Sequence, residues 1–103
     1  MLSVYKLTAH FPSDERFGLT SQLRRAALSV PTNVAEGSKR VSRQDYARFL
    51  NMAEGSLAET EYLLMVSRDL GYLAAKDAET LLAEYTEIGS MLNALRSKVS
   101  RIK

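Results

Sequence analysis

Residues 42–71 read SRQDYARFLNMAEGSLAETEYLLMVSRDLG, and this stretch decides the fold. Ser42 with Asp45 three residues on resembles a capping box, with Asp in place of the usual Glu, so a helix starts there. Gly71 ends it. No proline falls between these two signals. One face, Tyr46, Phe49, Leu50, Ala53, Leu57, Thr60 and Leu64, recurs at helical spacing and is expected in a core. A second group, Gly55, Ala58, Tyr62, Met65 and Val66, points more than a quarter turn away, so the helix has two faces to cover. A neighbouring helix of one bundle covers the second as well as a subunit interface does. Gly55 in mid-helix costs about 1 kcal/mol relative to alanine, and with Ser56 it is expected to be a close-packing point against another helix.

Downstream, a last helix is predicted from about Ala75 to near the end of the chain. Its seam, Leu81, Tyr85, Ile88, Leu92, Leu95, Val99 and Ile102, steps by four and three residues in alternation. Such a seam favours near-parallel packing at a shallow crossing angle, as in an antiparallel bundle. Upstream, Thr20 is the expected N-cap of a helix running to an exit at about Gly37. Leu19, Leu23, Ala26, Ala27, Val30 and Val34 fall along one face of it, while Leu28 lies on the opposite side near Ser21, Thr32 and Ala35, which points to a subunit contact. Pro31 removes one backbone hydrogen bond and crowds the carbonyl of Ala27, so a bend is expected there. Asn33 and Glu36 are placed to satisfy backbone groups freed by Pro31, or to pair with Arg24 or Arg25. Pro12, Ser13, Asp14 and Glu15 close a short first segment of about ten residues.

The bulk numbers agree with one all-α domain spanning residues 1–103: 46% of residues are hydrophobic, enough for a single core at this length. With no cysteine, neither a disulfide framework nor a thiolate metal site is available, and a reducing compartment, the cytoplasm, fits best. The first ten residues do not read as a signal peptide, and the longest apolar run, Tyr62 to Val66, is too short for a membrane span.

The residues that catalysis usually needs are not assembled. The one histidine, His10, stands beside Phe11 and Pro12 with no titratable partner nearby in sequence. Di-iron bundles need Glu-x-x-His pairs on facing helices, and the three main helices hold no histidine. Glu54, Glu59 and Glu61 read as the polar face of a helix sooner than as a metal site. There is no glycine-rich phosphate loop after a strand and no nucleophile elbow. No enzymatic activity, metal or cofactor is expected.

The net charge of +2 is unevenly distributed. Residues 1–50 carry eight Lys/Arg against four Asp/Glu, and residues 51–103 carry six against eight. Arg24, Arg25, Lys39, Arg40, Arg43 and Arg48 are the candidate phosphate-contacting surface, of salt-dependent and largely sequence-independent affinity, although charge alone reads them sooner as a solvated loop with ion pairs along the helices. Leu28, Tyr62, Met65 and Val66 are the candidate oligomer-interface residues, and the alternative function is a protein-interaction adaptor in which the second apolar face and the acidic C-terminal half recruit a partner enzyme.

One resemblance covers nearly the whole chain. Phe11-Pro12, Glu15-Arg16-Phe17-Gly18-Leu19-Thr20, Gln22-Leu23-Arg24-Arg25-Ala26-Ala27, Ser29-Val30-Pro31 and Asn33-Val34-Ala35-Glu36-Gly37 resemble the bacterial four helix bundle protein family. The match continues through Phe49-Leu50, Ala53, Gly55-Ser56-Leu57, Glu59, Glu61, Asp69-Leu70-Gly71-Tyr72-Leu73 and Met91-Leu92. That family takes in the proteins encoded within intervening sequences of bacterial 23S ribosomal RNA genes and is similar to the accessory variability determinant of diversity-generating retroelements. The resemblance implies an up-down four-helix bundle, here with a short or truncated first helix that leaves a groove along the second and fourth helices. It further implies a pentameric, barrel-like assembly with a basic surface for RNA or DNA, and it marks Pro31, Asn33, Glu36, Gly37, Gly55, Ser56 and Glu59 as motif residues. It names no biochemical activity.

Overall fold

The computed structural model describes residues 2–101, with the backbone alone at Leu2. Its four α-helices are α1 (Leu2–Thr8), α2 (Leu19–Ser38), α3 (Arg43–Asp69) and α4 (Ala75–Arg101), with a 3-10 turn at Ser13–Glu15 and no strand among the described residues. Only residues 39–42 link α2 to α3 and only residues 70–74 link α3 to α4, and links this short force antiparallel neighbours. α3 is the central helix: α2 and α4 pack on it far more than on each other, and α1 lies against α2. The bundle measures 48 × 24 × 17 Å.

The ends of α3 follow from the residues that bound it. Ser42 Oγ accepts the Asp45 N–H at 3.0 Å and so caps the helix. The Asp45 carboxylate binds Arg48 Nε at 3.3 Å, one turn on. At the other end Gly71 takes φ +82°, the Gly71 N–H donates to the Arg68 carbonyl and the Tyr72 N–H to the Ser67 carbonyl, both at 3.0 Å. These are the two bonds of a Schellman motif. Ser42→Ala should lower the stability of the protein by about 1 kcal/mol, read as a lower urea midpoint with an unchanged slope.

α2 starts differently from the sequence expectation. Thr20 is not its N-cap: the helix begins at Leu19, Gly18 holds the cap position, and the Leu19 N–H donates to Glu15 Oε1 at 3.3 Å. A carboxylate three residues before the cap takes over the work, which leaves Thr20 buried in the first turn. Pro31 is accommodated inside one continuous helix. Asn33 Nδ2 donates to the Ser29 carbonyl at 2.9 Å and Thr32 Oγ1 to the Leu28 carbonyl at 2.8 Å. Neither bond reaches Ala27, whose carbonyl lost its helical partner to Pro31. Glu36 is exposed and pairs with neither Arg24 nor Arg25 among the described residues.

The core joins the expected faces. Leu23 and Leu50 are fully buried, with Leu64, Ala53, Leu57, Leu81, Tyr85 and Leu92 around them. Thr60 and Ser67 are also fully buried, and their hydroxyls donate to the carbonyls of Ser56 and Leu63 in the preceding turn, so neither is left unpaired. Val66 departs from the expected interface role, because it is half-buried and packs against this core. Ile88 departs from the seam in the other direction, being 37% exposed at the rim of an open groove. Ile102 lies outside the described residues.

Gly55 is not the close-packing point. No atom lies within 4 Å of where its Cβ would stand, because it sits on the outer side of α3. Gly37 has that role instead of being the helix exit: its Cβ would stand 2.7 Å from Phe49 Cβ and 3.0 Å from Tyr46 Cδ1. α2 runs one residue beyond it, to Ser38.

Candidate nucleic-acid interface

α1 has seven residues, too few to hold a helix by itself in water. It is held by the fully buried Val4 and by Arg24. Arg24 Nε donates to Thr8 Oγ1 at 2.8 Å, its Nη2 donates to the Tyr5 carbonyl at 3.3 Å, and its guanidinium lies 4.7 Å from the Tyr5 ring centroid. Arg24 thus serves the C-terminal end of α1, where a cation also meets the negative end of the helix dipole. It does not join a phosphate-binding surface. Arg25 is exposed, but it stands about 20 Å along α2 from Lys39, at the 1.5 Å rise per helical residue. The six cations expected on one surface therefore split into two groups.

The group that stays together is at the end of the bundle where α2 stops and α3 starts. Lys39 is the C-cap of α2, Arg40 follows it, Arg43 opens α3 and Arg48 lies in the second turn. The ring of Phe49 organises two of them, with the guanidinium carbons of Arg40 and Arg48 at 4.5 and 4.8 Å from its centroid. Phe49 is itself buried against Gly37. α4 returns to the same end, where Val99 and Ser100 share a surface hollow with Arg43, Gln44 and Ala47. Lys98 and Arg101 in the last turn of α4 thereby join the cluster. Reading along the chain missed these two, since they lie in the acidic half, more than fifty residues from Arg43. Antiparallel return of a 27-residue helix is the signal that could have found them.

Few acids answer these cations. Asp45 takes Arg48, and Glu54 takes Arg96 while accepting from Asn93 Nδ2 at 3.4 Å. Lys39, Arg40, Arg43, Lys98 and Arg101 have no ion-pair partner among the described residues. Glu54 and Glu59 face opposite sides of α3, Glu54 toward α4 and Glu59 into a polar notch with Gln22, Arg25 and Ser29 of α2. No three His, Asp or Glu side chains among the described residues gather closely enough to hold a metal ion. No helix among them is long and apolar enough to cross a membrane.

Two phenols carry raised pKa values, both at the opposite end or in the groove wall. The Tyr72 hydroxyl donates to Glu15 Oε2 at 3.0 Å, and that bond, with lesser help from desolvation and the charges of Glu15 and Asp14, holds it above the usual tyrosine value. Tyr85 is pushed up by burial first and by the charge of Glu84 second.

Fold and site together define a class: a small all-α bundle of antiparallel helices with a charged end. Within that class the chain belongs to the 23S rRNA-intervening sequence protein family, whose sequence pattern matches residues 1–94. A solved structure of a protein of unknown function from the S23 ribosomal protein family of Bacteroides thetaiotaomicron VPI-5482 is similar to it throughout. The two share 26% sequence identity and superpose with a TM-score of 0.81, over 92% of this chain and 86% of the other. No curated protein compared with the chain matches it.

Proposed function

We propose that this protein is a non-enzymatic, cytoplasmic homo-oligomer, five copies as the resemblance implies, whose basic end binds the phosphates of structured RNA or DNA. The observation that carries this reading is the cluster Lys39, Arg40, Arg43, Lys98 and Arg101, brought from three helix ends to one end of the bundle without matching acids. Close cations without carboxylate partners repel one another, and a polyanion relieves that repulsion while releasing its own counterions. The side chains reach no scaffold suited to base edges, so binding reads backbone and shape rather than sequence. Assembly is supported by the outer face of α3, where Met52, Tyr62 and Met65 are 44%, 64% and 39% exposed around Gly55 and Ala58.

The test is fluorescence anisotropy of a labelled RNA hairpin and a DNA duplex against salt. Affinity should fall steeply, with a log–log slope of about −3 to −5 for four to six neutralised phosphates. Absence of binding at about 50 mM salt, where such contacts are strongest, overturns the reading.

A further inference from the structure

Lys39 and Arg40 leave α2 on the bonds of a closing helical turn: the Lys39 N–H donates to the Glu36 carbonyl at 3.2 Å and the Arg40 N–H to the Gly37 carbonyl at 3.0 Å. The backbone from which the Arg40 side chain starts is therefore fixed. Its guanidinium carbon stands over the ring of Phe49, 4.5 Å from the centroid, and Phe49 is itself buried with its β-carbon against Gly37. Arg48 uses the same ring at 4.8 Å, but its Nε is bound to the Asp45 carboxylate. Arg40 is exposed and has no acid partner among the described residues. Val41, the next residue, is fully exposed, more so than any other large hydrophobic residue described.

A guanidinium in this position has two kinds of surface. Its N–H groups point outward in its plane, and with no carboxylate to take them they suit phosphate oxygens. Its flat faces bind water weakly, so a second flat group covers one at little cost in lost hydration. One face of the Arg40 guanidinium lies on Phe49, and the other is the one that solvent meets.

We propose that this open face is a stacking platform for an unpaired base, so that the basic end takes nucleic acid at a loop or bulge in preference to an unbroken duplex. This deepens the phosphate-binding reading above and rests on it. Within a duplex each base face is covered by its neighbours and only edges and backbone are offered, whereas at a loop the faces are free. A base laid on Arg40 becomes the third layer of a column whose first two are Phe49 and the guanidinium. Lys39 and Arg43, one residue before and three after, are left for the flanking phosphates. Val41 adds an apolar contact for a sugar or a base without competing for phosphate. Such stacking accepts any base, because every base has a π-face, and this agrees with a surface that reads no sequence.

Two RNA hairpins that differ only in the loop provide the test, one with its loop bases and one with the same loop made abasic, so that stem and phosphates are equal. Fluorescence anisotropy at about 100 mM salt should show the loop bases strengthening binding about tenfold. Arg40→Lys keeps the charge and removes the flat face, so it should abolish that difference and leave the salt slope unchanged to within about 1. Arg43→Lys makes the same change at a cation that stands over no ring among the described residues, and it should keep the difference. Equal binding of the two hairpins by the parent overturns the platform and leaves the phosphate reading standing. So does a difference that survives Arg40→Lys, or one that both lysine variants lose equally. No binding of either hairpin at about 50 mM salt overturns both.

Discussion

Gly37→Val should cost the protein about 3 kcal/mol, a large part of the margin of a domain this size. The position is inside α2 and its φ is not positive, so backbone freedom is not the reason for glycine there. Helix propensity alone says the opposite, since glycine is the poorer helix former by up to about 1 kcal/mol. Sterics decide it: a Cβ would stand 2.7 Å from Phe49 Cβ, and a β-carbon is fixed to the α3 backbone and cannot swing aside. α2 and α3 would have to separate along their best-packed contact. Gly55→Ala is the control, with nothing within 4 Å of its added methyl, and it should raise stability by about 0.5–1 kcal/mol. Urea unfolding of the two variants measures both effects. A Gly37 variant as stable as the parent would show that the helices are not in contact there.

The same contact links packing to the basic end. Phe49 touches the place of the missing Cβ with its own Cβ, while its ring carries Arg40 and Arg48 within 5 Å. A glycine in the α2 backbone therefore seats an aromatic ring, and the ring aligns two guanidinium groups that long flexible side chains would otherwise scatter. The stacking removes part of the rotamer entropy that holding a bound anion would otherwise cost. In this way a packing detail of the core sets the geometry of an exposed surface.

The helices and their core faces were legible because each rests on local chemistry: Ser42 and Gly71 bound α3, and the seam of α4 repeats along a single helix. What was not legible depends on which helix stands opposite. Gly37 and Gly55 look alike in sequence, and only the crossing of α2 over α3 makes one a tight contact inside the protomer and leaves the other on the outer face. Arg24 and Arg25 are neighbours, yet one hundred degrees of helical rotation sends Arg24 to the end of α1 and leaves Arg25 in solvent. Lys98 and Arg101 were hidden for the converse reason, since they are remote in sequence and adjacent only through the return of α4. Thr20 misled as a cap because Glu15, reaching from the preceding 3-10 turn, already satisfies the first amide of α2.

Those placements decide which cations to change. Neutralising Lys39, Arg40, Arg43 and Arg101 together, each to glutamine, should reduce the salt slope of nucleic-acid binding by about 3 to 4. Between about 50 and 200 mM salt the parent would then lose on the order of a hundredfold more affinity than the variant. All four side chains are exposed and none is in an ion pair among the described residues, so the fold should survive, which circular dichroism and a urea midpoint check. Arg24→Gln with Arg25→Gln gives the contrasting outcome. It removes two formal charges as well, but Arg24 is spent on Thr8 and the Tyr5 carbonyl, so the slope should change by no more than about 1. Its effect should appear instead as faster hydrogen exchange at Ala9, whose N–H donates to the Tyr5 carbonyl at the end of α1. Slope changes in proportion to the charges removed, two in the pair against four in the set, would mean that affinity follows net charge and that the end of the bundle is not a site. A loss confined to the four-residue variant would mean that phosphates are held where three helix ends bring their cations together.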